Sequence, residues 1–232
     1  MNEHSEVKMD WLTVDSTMPS LLEHWRRRRQ TPTVSESVVI EVPSGSLNLE
    51  GQPAVTSQPP DVLIQAVVVF GDRRAEGQVI AGLAVPWFEI IDQLERDPDF
   101  LFRIPWRKLE EIIAGAYDRA GWPEVILTPR SGDGGRDVIA TRPGVGSIRI
   151  VDQVKAYKPG RPVKADEVRS ILGVLDADSN VSKGVITTTS RFAPGILYDS
   201  GITKFVPYRL ELKDGAQLRR WLLDLRDNGH TK

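Results

Sequence analysis

The chain has 232 residues, 40% hydrophobic and 27% charged, which suits one modest globular domain with tails. It contains no cysteine, which excludes disulfides, thiolate zinc sites and cysteine nucleophiles. Its three histidines, His4, His24 and His230, sit near the chain ends, which argues against a histidine base or histidine metal site, and a net charge of −2 argues against coating nucleic acid by bulk positive charge. Chemistry is left to carboxylates, lysine, arginine, amides and hydroxyls. No run approaches the roughly 20 apolar residues that cross a bilayer. The opening MNEHSEVKMD also lacks the cationic-then-apolar order of a signal peptide, so the expectation is a cytoplasmic protein without membrane contact.

Residues 1–60 read as a largely disordered tail and linker. They join a basic knot, Trp25 with Arg26 to Arg29, to a stretch from Thr31 to Pro60 rich in Pro, Ser, Thr and Gly, with apolar residues too scattered to offset ordering entropy. The arginine run reads either as a solvated cluster or as a nucleic-acid contact. Residues 61–104 form a lead-in. Val62 to Phe70 (VLIQAVVVF) is rich in β-branched residues and predicts a strand, and Val85 to Arg96 predicts a short helix stopped by Pro98.

Residues 105–212 form the predicted core. Leu109, Ile112, Ile113, Ala116 and Ala120 repeat at helical spacing, with Gly121 as the stop. Glu124 to Pro129, Asp137 to Thr141 and Ser147 to Tyr157 predict strands, the last two joined by a turn over Arg142 to Gly146. Val168, Ile171, Leu172 and Leu175 predict another helix, and Gly184 to Thr188 a strand with a hydroxyl-rich end. A strand near Tyr208 to Leu212 completes the core. A helix from Gln217 to Leu225 and a tail occupy 213–232. The fold class is α/β, a mixed central sheet flanked by helices in the order αβββαβ.

If the turn centres near Val145, Asp137 and Gln153 lie eight residues to either side of it and face each other across the hairpin. Side chains alternate along a strand, so Lys155 projects from the same face as Gln153. Ile148, Ile150, Asp152 and Val154 share the other face, where Asp152 is the odd residue and is read as a strand end or bulge. On the preceding helix, at about 100° per residue, Glu110 borders the apolar stripe while Glu111 points away. Glu110 is therefore either a member of the site or a solvated acid favoured by the helix dipole.

These residues resemble the PD-(D/E)xK nuclease superfamily, and within it the Mrr-like restriction endonucleases. The likeness runs from about Leu109 to Thr189: Leu109-Glu110 with Gly121 eleven residues after the acid, Ser131-Gly132-Asp133-Gly134-Gly135-Arg136-Asp137, Gln153-Val154-Lys155, and Ile186-Thr187-Thr188-Thr189-Ser190. By that resemblance Asp137 is the metal-binding acid, Gln153 stands in for the second acid and Lys155 is the catalytic lysine. Glu110 is a further candidate. Asp152 departs from the pattern, which carries an apolar residue there.

The resemblance implies a Mg²⁺- or Mn²⁺-dependent DNA endonuclease, acting in restriction or defence against foreign DNA. A hard cation takes oxygen ligands and keeps several waters. Asp137, the Gln153 amide, the Val154 backbone carbonyl and Glu110 are the candidate donors. Asp133 reads as a turn residue. Lys158, Arg161 and Lys164 follow the Gln-x-Lys strand in a Pro/Gly loop and read as phosphate contacts or as a solvated loop. Thr188 and Ser190 carry hydroxyls suited to phosphate, although threonine also favours strands. A homodimer is expected for cutting both strands, and residues 1–60 are a candidate contact for a protein partner. The competing readings are a nuclease-derived nucleic-acid-binding module that no longer cuts, motivated by Gln153 and Asp152, and an interaction protein that recruits partners through its N-terminus.

Overall fold

A computed structural model describes residues 60–130 and 134–228. The N-terminal tail, Arg26 to Arg29, all three histidines and Asp133 lie outside the described residues.

The described chain is built on a seven-stranded sheet whose spatial order follows the sequence. It runs β1 (Val68–Arg74), β2 (Gly77–Leu83), α1 (Val85–Arg96), α2 (Trp106–Arg119), β3 (Glu124–Leu127), β4 (Val138–Arg142), β5 (Ile148–Lys155), α3 (Ala165–Ala177), β6 (Lys183–Thr188), α4 (Ser200–Thr203), β7 (Leu210–Lys213) and α5 (Gly215–Asn228). Strands β1 to β5 pair antiparallel, and β5, β6 and β7 pair parallel. Helices α3 and α4 lie in the two parallel crossovers. From α2 to β6 the order is the expected αβββαβ.

Two layers cover the sheet, so its central strands alternate between two apolar environments. Leu109, Ile112, Ile113 and Ala116 of α2, with α1 and with Leu218 and Leu222 of α5, pack against Val125, Leu127, Val138 and Ala140. Val168, Ile171 and Leu175 of α3 pack against the other face, on Ile126, Ile139, Val151 and Ile186. The Trp87 indole N–H donates to the Ile112 carbonyl at 3.0 Å and ties α1 to α2.

The expected strand over 62–70 is corrected. Residues Asp61–Leu63 form a 3-10 turn, and the strand starts at Val68, where pairing with Leu83 begins. Strand β2 has no counterpart among the sequence-based expectations. It brings the 61–104 segment into the central sheet, since β2 pairs with β3 through Gln78 to Leu127 and Val79 to Ile126.

Candidate functional site

The β4–β5 hairpin has the expected register. Val138 pairs with Asp152 and Arg142 with Ile148, symmetric about Val145. Regular pairing ends at Val138: the Asp137 N–H donates to the Asp152 carbonyl at 3.0 Å, while the Asp137 carbonyl accepts the Thr128 N–H at 3.1 Å from the other side. The Val154 N–H donates to Asp137 Oδ2 at 2.6 Å, which holds the carboxylate against the Gln153–Val154 backbone. A residue's N–H and C=O point to the same side of a strand, so the Val154 carbonyl is also directed toward β4, past its start.

Gln153 is 8% exposed. Its amide lies against Gly135, whose φ is +80°; a Cβ at Gly135 would sit 2.8 Å from Gln153 Nε2. On the other side Ser170 Oγ of α3 lies 3.4 Å from Gln153 Oε1. Gly135 thus lets backbone close over the glutamine where a side chain could not fit. Lys155, on the same face, is near enough to Glu167 of α3 to help lower its pKa. Against the desolvation that raises it, the Tyr157 hydroxyl, the Lys164 N–H and the charges of Lys155 and Arg161 hold the Glu167 carboxyl below its usual range.

Among the described residues no three histidine, aspartate or glutamate side chains converge as a metal cage. The Asp137 carboxylate, the Gln153 amide and the Val154 backbone lie at the same end of the hairpin, and oxygens of these types suit a hard cation that retains water. Glu110 is 3% exposed, not solvated. It sits in the helix layer opposite α3, with Arg107 Nη1 at 2.7 Å from its Oε2. The same guanidinium donates to the Thr128 carbonyl at 3.0 Å, and the Thr128 N–H donates to the Asp137 carbonyl at 3.1 Å. Glu110 is thereby linked to the start of β4 through Arg107, a residue that no sequence motif singles out.

Two expectations need correction. Asp152 is neither a strand end nor a bulge: it lies inside β5 in regular pairing with Val138 and is 0% exposed. Its Oδ2 accepts the Tyr117 hydroxyl at 2.9 Å and the Thr187 hydroxyl at 2.8 Å. Burial raises its pKa to about 6, opposed by the charge of Lys213 and by those two hydrogen bonds, with the charge of Asp137 adding to the rise. Thr188 does not present its hydroxyl to a phosphate. It is fully buried, donates to the Lys155 carbonyl at 2.8 Å and accepts the Ser190 N–H at 3.1 Å.

In the loop after β5, Lys158, Arg161 and Lys164 are exposed, with the Arg161 guanidinium 4.0 Å from the Tyr157 ring centroid. Ser190 is half-buried. Among the described residues no helix is long and apolar enough to cross a membrane.

The αβββαβ order within a mixed seven-stranded sheet is a restriction-endonuclease-like α/β fold. The chain belongs to the Mrr catalytic-domain family, described as restriction endonuclease, which matches residues 101–222. A relative from Sinorhizobium fredii (strain NBRC 101917 / NGR234), "Uncharacterized protein y4cE", is 25% identical over 126 residues, covering 54% of this chain and 31% of the relative. Two solved structures are similar at a TM-score of 0.37. "MspJI Restriction Endonuclease in Complex with 27-mer Oligonucleotide" is 16% identical, over 62% of this chain and 31% of that one. "DNA modification-dependent restriction endonuclease AspBHI" is 22% identical, over 64% and 37%. The chain thus spans about a third of the length of each.

Proposed function

We propose that this chain is a divalent-metal-dependent DNA endonuclease that hydrolyses phosphodiester bonds in restriction or defence against foreign DNA, with Asp137, Gln153 and Lys155 as its active site. The observation that carries this reading is the 2.6 Å contact of the Val154 N–H with Asp137 Oδ2, which brings the acid to the Gln-x-Lys strand. Asp137, the Gln153 amide oxygen and the Val154 carbonyl would hold Mg²⁺ or Mn²⁺. When bound, the ion supplies an acidified water and neutralises charge building on the phosphate.

The protein's own groups do the rest. Asp137 contributes the negative charge of the donor set, and its bond to Val154 limits the motion of that carboxylate. Gln153, clamped between Gly135 and Ser170, presents a neutral oxygen and leaves the set one charge weaker than glutamate would. Lys155 places an ammonium on the same face, where it orients the attacking water or steadies the phosphate oxygens. Glu110 acts behind this group, with Arg107 on its carboxylate. Lys158, Arg161 and Lys164 are proposed to meet the flanking phosphates, with Ser190 a further contact. Cutting both strands calls for two copies of the site, hence a homodimer, and residues 1–60 are left as a contact for a protein partner.

Plasmid, methylated and branched DNA incubated with purified protein and Mg²⁺ or Mn²⁺ tests the reading. Cutting that Asp137→Ala lowers by about 100-fold or more is expected from removing a metal-site charge. Intact DNA under all these conditions contradicts it. That Asp137 is the only carboxylate in the donor set favours one second reading, a nucleic-acid-binding module descended from a nuclease. It predicts tight DNA binding with no calorimetric signal on adding Mg²⁺.

A further inference from the structure

We propose that Asp152, with Tyr117, Thr187 and Lys213, is a positioning device that sets the placement of Asp137, Gln153 and Lys155 from the reverse face of the sheet. This rests on the nuclease reading for its functional meaning. Alternation puts Ile150, Asp152 and Val154 on the side covered by α2 and α5, away from Lys155. An apolar residue at 152 would continue that packing. A carboxylate there must be compensated, and three elements supply the compensation.

Tyr117 of α2 and Thr187 of β6 both donate to Oδ2, at 2.9 and 2.8 Å. Lys213 of β7 adds positive charge. Its ammonium is itself held 3.7 Å from the Trp221 ring centroid of α5 and 3.7 Å from Glu211 Oε1. Oδ1 has no hydrogen-bond partner among the described residues, so both donors converge on one oxygen and orient the group. Hydrogen bonds are directional where apolar contacts are not. They fix β5 laterally and rotationally at Asp152, the residue whose carbonyl takes the Asp137 N–H at 3.0 Å. The Asp137 carboxylate in turn takes the Val154 N–H. A shift of β5 at 152 therefore displaces both ends of the proposed active site.

The test uses the full chain. Thr187→Val removes one donor at nearly constant volume, Tyr117→Phe removes the other, and Thr187→Ser keeps a hydroxyl. Thr187→Val and Tyr117→Phe are each expected to lower kcat for plasmid cleavage about tenfold or more with KM within about twofold, while Thr187→Ser cleaves like wild type. A readout independent of cleavage is amide exchange by NMR: in both donor-deletion variants the Val154 amide is expected to exchange about tenfold faster while Val125 of β3 is unchanged. Should Tyr117→Phe fail to fold, Thr187→Val against Thr187→Ser gives the same comparison. Unchanged kcat, or unchanged Val154 exchange, in folded donor-deletion variants overturns the proposal. If the wild type does not cut DNA but Val154 exchange rises as stated, the positioning device stands and the nuclease reading falls.

Discussion

Gly135 and Gln153 form one unit although 18 positions separate them in the chain. The glycine's φ of +80° disfavours any side chain, and a Cβ there would meet the Gln153 amide at 2.8 Å. Gly135→Ala is expected to cost about 1–3 kcal/mol in urea unfolding through strain and overpacking. It should also weaken calorimetric Mg²⁺ binding, because the amide must move. Asp152 sets a separate pH dependence. With its carboxyl raised to about 6 from 3.8, the folded state binds the proton more tightly than the unfolded chain. Its contribution to stability is therefore full below the unfolded pKa and is lost as pH rises through about 6, a span of roughly 3 kcal/mol. Denaturant melts of wild type and Asp152→Asn from about pH 4 to about pH 7 check this: wild type should gain stability relative to the variant as pH falls. Parallel pH curves would contradict the assignment.

At the scale of elements, α2 carries Gly115 where a helix normally prefers alanine by about 1 kcal/mol. Here packing reverses the preference. A Cβ would come within 2.6 Å of Leu83 Cδ2 and 2.9 Å of Trp87 Nε1, and that indole is already bonded to Ile112. The leucine methyl can turn away but the buried indole cannot, so Gly115→Ala is expected to lower the melting temperature, by about 1–3 kcal/mol in free energy. The α2, β3 to β5, α3 and β6 elements are legible in the sequence because each announces itself locally, by a 3.6-residue or two-residue period and a glycine or proline stop. The β4–β5 register is legible because a short hairpin is symmetric about its turn. Strand β2 is not, since only Val79, Ile80 and Leu83 are large and apolar in it and its glycines suggest loop. Asp152 defeats sequence reading for a related reason. Its hydroxyl partners lie 35 residues away on either side, and no local pattern reports them.

The whole molecule carries a net charge of −2, so attraction to DNA has to come from a local surface. The loop after β5 is the proposed one. Replacing Lys158, Arg161 and Lys164 by glutamine should raise KM and reduce the slope of log affinity against log salt by about 0.9 for each phosphate that is no longer neutralised, with kcat nearly unchanged. A slope equal to wild type would place DNA elsewhere. The central claim is that the open end of the β4–β5 hairpin is a metal-dependent phosphodiesterase site. Its most direct test is the single-turnover rate of DNA cleavage at saturating Mg²⁺ for wild type and Lys155→Ala. A fall of about 100-fold or more, with Mg²⁺ and DNA affinities retained, is predicted. Equal rates would contradict it.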